Sequence, residues 1–122
     1  MKQIALLFIC VLIISCKKET AEPFGKSVAK TPVEFGKELF EGKGNCIACH
    51  LTDQKVIGPS IQDIAKAYTV QKGSIVSFLK EEAKPIVDPS QYEVMKANFA
   101  ITKTMTDEEL KALEQYIYSQ GL

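Results

Sequence analysis

The chain has 122 residues, is 46% hydrophobic and sets 15 basic side chains against 15 acidic ones. That is enough apolar material for a core, and too little excess positive charge to grip nucleic acid. Every basic residue is a lysine, and His50 is the single histidine, so chemistry that needs two imidazoles is excluded and any cationic docking patch must be made of lysine.

The chain opens with Met1-Lys2 and an unbroken apolar run from Ile4 to Ile14, which reads as an export signal. Its 11 residues fall short of the roughly 20 that span a bilayer as a helix. Ile13-Ile14-Ser15-Cys16 resembles a bacterial lipobox, in which the cysteine is acylated and becomes the mature N-terminus. The alternative is an ordinary signal peptide with an incidental cysteine. On the lipobox reading, residues 1–15 are the signal peptide, 16–30 the lipidated N-terminus and a flexible tether, and 31–122 one folded domain. The tether is rich in Lys, Glu, Ala, Ser and Thr with Pro23 and Gly25, and has little apolar periodicity. Removing the signal leaves 14 lysines against 15 acids.

A first helix starts at Thr31-Pro32-Val33-Glu34, with threonine as N-cap, proline at the first position and a glutamate to complete a capping box. Val33, Gly36, Leu39 and Phe40 fall on one face, and Gly42-Lys43-Gly44 ends the segment. Cys46-Ile47-Ala48-Cys49-His50 follows. Ser60 starts a second helix with Ile61, Ile64 and Ala65 inward. A third runs from Ser74 to about Lys84, with Ile75, Phe78 and Leu79 inward, and stops before Pro85. The stretch after Pro85 and Pro89, which carries Met95, reads as a loop. The last helix begins with the capping box Thr106/Glu109 and repeats Leu110, Leu113, Tyr116 and Ile117 at helical spacing. Strands are scarce, so the fold class is all-α.

Two thiols and an adjacent imidazole in the order C-x-x-C-H are the signature of c-type haem attachment. The sulfurs add to the haem vinyl groups, and the histidine becomes the proximal iron ligand. A disulfide, a redox CxxC and half of a zinc site are the alternatives. Zinc wants four Cys or His ligands, and beyond the motif only Cys10 and Cys16 are available, both in the export segment. A thioredoxin-like motif follows a strand, and no alternating β-branched run precedes Cys46. Export and haem attachment agree, because the thiols must react outside the reducing cytoplasm. About 90 residues with four short helices make a thin core, and a covalent haem would staple it.

The order of these parts, from about Thr31 to the C-terminus, resembles the small bacterial class I cytochromes c. In that family a glycine and an aromatic of the first helix cross the last helix near another aromatic, and Gly36, Phe40 and Tyr116 stand at those places. The resemblance implies a fold of about four short helices packed around one covalent haem c held by Cys46 and Cys49. It also implies that the Pro59 carbonyl, in Gly58-Pro59, accepts the proton of the His50 ring. His50 and Met95 are then the metal ligands, and Asn98 hydrogen-bonds the ligating sulfur. Met95 lies 45 positions after His50, close to the separation in the shortest members. Met105, directly before the N-cap Thr106, fits a hydrophobic staple with Leu110 instead. Lys96 departs from the proline that often follows the ligand methionine, and it offers an exchangeable lysine.

The expected function is that of a membrane-tethered monohaem electron carrier, not an enzyme, held by an N-terminal lipid on the periplasmic side of a bacterial membrane. Its expected partners are redox proteins, with no nucleic acid, and a monomer is favoured. The alternative is a haem sensor or redox-enzyme accessory subunit whose labile Met95 opens for a small ligand. Lys43, Lys55 and Lys96 are the candidates for a steering patch. Glu81-Glu82 and Glu108-Glu109 read as exposed helix charge, so nothing suggests a paired-carboxylate hydrolase.

Overall fold

The computed structural model describes residues 29–121. The signal peptide, Cys16 and all of the tether before Ala29 lie outside the described residues. Five α-helices follow in chain order: α1 (Pro32–Glu41), α2 (Ile61–Gln71), α3 (Ile75–Leu79), α4 (Tyr92–Thr102) and α5 (Asp107–Ser119). Two single 3-10 turns, Cys46–Ala48 and Pro89–Gln91, sit between them. Among the described residues the only β pairing is an isolated antiparallel bridge between His50 and Lys55. No described helix is long and apolar enough to cross a membrane.

The helix starts follow from local chemistry. Thr31 and Thr106 each close a complete capping box, in which the Glu34 and Glu109 carboxylates accept from the cap backbone N–H at 2.8 Å. Ser60 caps α2 through the Asp63 amide. Helix α3 has only five residues, too short to persist alone. Its first amides are held by Ser74 and, across the fold, by the Glu114 carboxylate of α5, which accepts from Ile75 N–H at 3.1 Å.

The core is the crossing of α1 on α5. A Cβ on Gly36 would stand 2.0 Å from the Ala112 carbonyl oxygen and 2.8 Å from Tyr116 Cβ, so only glycine lets the two backbones meet there. One turn on, the rings of Phe40 and Tyr116 pack tilted with centroids 5.4 Å apart. Leu39, Leu110, Leu113 and Ile117 are buried with them, and Ile61, Ala65, Ile75 and Leu79 add the faces of α2 and α3. Val33, expected on the same face of α1, is exposed, because it precedes the point where the helices close. Thr102 at the end of α4 is fully buried and donates its hydroxyl to the Leu79 carbonyl at 2.7 Å.

Two sequence expectations need correction. The third helix ends at Leu79 rather than near Lys84, because Glu81 takes a left-handed φ of 62°. Met95 lies in the first half of α4, not in a loop. Pro89 opens a 3-10 turn that feeds α4, a position where a missing amide costs nothing, so the prolines begin this helix instead of preventing it. The count is therefore five helices rather than about four.

Candidate functional site

The CxxCH segment is wound tightly by its own backbone. Asn45, at a left-handed φ of 48°, turns the chain out of α1. The amides of Cys49 and His50 then both bond the Cys46 carbonyl, at 3.1 and 3.0 Å. This turn brings Cys46, Cys49 and His50 to the wall of one cavity. Gly44 clears space beside the first sulfur, since a Cβ there would lie 3.0 Å from Cys46 Sγ. No disulfide joins Cys46 to Cys49. Burial pushes the Cys46 thiol up to about 11, against the opposing pull of hydrogen bonds to its own backbone and to the Asn98 side chain. A thiol kept neutral in this way is a poor redox nucleophile.

Past the motif the chain folds back on itself: Gly58 N–H bonds the Cys49 carbonyl at 2.9 Å, and Ile61 N–H bonds Leu51 at 2.9 Å. The loop delivers the Pro59 carbonyl to within 2.7 Å of His50 Nδ1. A carbonyl can only accept, so the proton sits on Nδ1 and the lone pair of Nε2 is the one free to bind a metal.

Helix α4 supplies further wall through Met95, Asn98 and Ile101. Met105 is buried in the core and does not line the cavity; its methyl carbon would be 3.5 Å from a Cβ on Gly44. Asn98 lines the same cavity as Cys46. Sequence reasoning did not identify the aromatic wall. Tyr68, Phe78 and Tyr92 line the cavity, with Phe99 packed edge-on to Phe78 at 5.4 Å. These rings come from three helices, and no spacing in the chain links them.

The cavity encloses about 340 Å³ behind predominantly apolar walls. Its donors are two thiols, one imidazole and one thioether, and two glycines leave room at the sulfur and at the imidazole. A large flat apolar group attached by two thioethers and ligated by nitrogen and soft sulfur fits this set. Among the described residues no three His, Cys, Asp or Glu side chains converge as they would around a bare metal ion.

The three candidate steering lysines are each neutralised. Lys43 pairs with Glu109 at 2.6 Å, Lys55 with Asp88 at 2.7 Å and Lys96 with Glu93 at 2.9 Å. Lys96 also stands over the Tyr92 ring, 5.0 Å from its centroid. Ile57 and Val94 line the cavity and are about half exposed, so its lip is apolar.

A family model described as Cytochrome c matches residues 33–121. Curated relatives include cytochrome c-551 of Pseudomonas aeruginosa, 29% identical over 67% of this chain and 73% of that protein. Cytochrome c-551 of Pseudomonas denitrificans is 47% identical over 30% of this chain, and cytochrome c-552 of Nitrosomonas europaea is 43% identical over 34%. In these two the match spans only 43% and 40% of the relative's own length.

Proposed function

The chain belongs to the cytochrome c family, as a class I monohaem member with haem c attached through Cys46 and Cys49; from that membership we propose that it is a shuttle for single electrons, and from Ile13-Ile14-Ser15-Cys16 that it is tethered by lipid. The observation that carries this reading is one apolar cavity lined by both motif cysteines, the sole histidine and the thioether of Met95. When bound, the haem supplies a reversible one-electron couple.

Each residue has a distinct task in this reading. Cys46 and Cys49 fix the group covalently, so nothing dissociates between encounters. His50 would offer Nε2 to the iron, its ring held in that tautomer and orientation by the Nδ1–H bond to the Pro59 carbonyl. Met95 would offer soft sulfur, which favours the reduced state. Asn98 steadies the sulfur side of the cavity. The aromatic and aliphatic walls keep water out, so little rearranges when charge changes. Lys96 is a poor replacement ligand, because Glu93 and the Tyr92 ring hold its ammonium group.

Residues 1–15 would direct export, Cys16 would carry the lipid, and residues 16–30 would let the domain range from the periplasmic side of the membrane. More than one acyl chain would hold it firmly, where a single chain binds marginally. Its partners would be redox proteins that touch the apolar lip, and the carrier itself would work as a monomer.

The test compares visible spectra of the exported protein with those of Met95→Ala. The oxidised wild type should show the weak sulfur-to-iron charge-transfer band in the far red, and the variant should lose it. Persistence of the band in Met95→Ala would make Met105 the ligand. Its absence from the wild type, with ready carbon monoxide binding on reduction, would favour the sensor. Cys16→Ala should move the protein from the membrane fraction to the soluble fraction.

A further inference from the structure

Asp88 and Lys55 are 33 positions apart and belong to the two irregular segments on either side of the cavity. The first precedes α4 and the second follows the CxxCH turn. Asp88 lines the cavity and its side chain is 18% exposed. Its two oxygens do different work. Oδ1 accepts from Ser90 Oγ at 2.5 Å and fixes the Pro89–Gln91 turn that leads into α4 and Met95. Oδ2 accepts from Lys55 Nζ at 2.7 Å. Lys55 is itself fastened to the backbone of His50 through the one β-bridge. A single carboxylate thus links the segment that pairs with His50 to the turn that leads into α4, the helix that bears Met95.

Most surface ion pairs do little, because water screens the charges and two long side chains must be held in one geometry. Lys96–Glu93 and Lys37–Glu41 are of that kind, three and four residues apart and exposed on both partners. Lys55–Asp88 differs, since its carboxylate is 18% exposed and it joins two irregular segments 33 positions apart. We propose that Asp88 is a positioning residue: with Lys55 and Ser90 it forms a strap that holds the start of α4 against the CxxCH loop, keeps Met95 seated and denies the site to outside ligands. This rests on the reading of Met95 as ligand.

The test is imidazole titration of the oxidised holoprotein, in wild type, Asp88→Asn, Lys55→Ala, the charge-swapped pair Lys55→Asp with Asp88→Lys, and Lys37→Ala as a remote ion-pair control. The strap predicts that each single strap variant binds imidazole about fivefold more tightly, the size of effect one well-placed ion pair can have, that the swap returns only part of the way toward wild type, since a lysine at position 88 restores the ion pair but cannot accept from Ser90, and that Lys37→Ala changes nothing. Hydrogen exchange should quicken at the Gln91 amide, which bonds the Asp88 carbonyl at 3.1 Å, and stay unchanged in α5. If Asp88→Asn fails to fold, Lys55→Ala carries the comparison. Affinities within twofold of wild type, or equal gains in Lys37→Ala, overturn the strap while the far-red band in wild type upholds Met95. Absence of that band overturns the Met95 reading, and the strap with it.

Discussion

Gly58 stands flat against the imidazole of His50: a Cβ at this position would come within 2.3 Å of Cε1, 2.7 Å of Nδ1 and 3.0 Å of Nε2. The φ of Gly58 is not in the left-handed region, so the requirement is for space and not for an unusual backbone. Gly58 thereby lets the loop deliver the Pro59 carbonyl to Nδ1 of the same ring.

Gly58→Ala should therefore push the ring off its carbonyl partner. The expected cost is about 1–3 kcal/mol, the range for one extra methyl in a filled site. Chemical denaturation of the holoprotein measures it, and Ser60→Ala, which only weakens the α2 cap by about 1 kcal/mol, is the comparison. A shifted potential in Gly58→Ala but not in Ser60→Ala would mark the loss of ring orientation.

Much of this arrangement was legible in the chain because it is local. Capping boxes at Thr31 and Thr106, the inward faces of α1 and α5, and the CxxCH turn each depend on residues within a few positions of one another. What escaped the sequence is contact between distant segments. Lys43 reads as free charge, yet its partner Glu109 is 66 positions away. The aromatic wall comes from α2, α3 and α4 together. The misread loop around Met95 has a different cause: Pro89 breaks a helix only from within, and here it stands at the entrance.

Glu109 makes a pH prediction with a definite sign. Hydrogen bonds from Lys43 first, then from the Thr106 backbone, hold its carboxyl below the ordinary value of 4.5. A group lowered in the folded state binds fewer protons folded than unfolded near that value. Its stabilisation is thus fully present above about pH 4.5 and is lost as pH falls through the lower folded value. Glu109→Gln retains an acceptor for the Thr106 amide and removes only the charge. The wild type should be more stable than this variant at pH 7, and the gap should close on acidification below pH 4. A gap that stays constant with pH would mean that the charge contributes nothing.

Paired lysines beside the haem-bearing segments change what is expected of encounter rates. With Lys43, Lys55 and Lys96 each tied to an acid within 3 Å, little field extends toward an approaching partner, and salt has little to screen. Electron exchange with a small neutral oxidant and with a small cationic one should each change by less than about threefold between ~10 mM and ~100 mM salt. Glu93→Gln frees Lys96 and should introduce a salt dependence for an anionic oxidant. If wild type already shows a steep slope, the rim is not neutral in solution.

Removing the attachment chemistry should unfold much of the domain, and the size of the cavity says why. Phe40, Ile75, Leu79, Leu113 and Ile117 are core residues that also line it, so the same side chains face both the packed interior and the space to be filled. Left unfilled, this apolar cleft of about 340 Å³ would leave those core side chains facing water, at about 25 cal/mol per Å² of apolar surface, in a domain too small to have much stability to spare. Helix α3 should fail first, since Ile75, Phe78 and Leu79 of its five residues line this wall and its first amides depend on Glu114. The double variant Cys46→Ala, Cys49→Ala is expected to show weakened helical circular dichroism and no cooperative thermal transition. The crossing of α1 and α5, sealed by Gly36, is expected to be the last structure to go, which hydrogen exchange at the Leu113 and Tyr116 amides would reveal. A cooperative transition near that of the holoprotein would mean that the helices close the cavity without the haem.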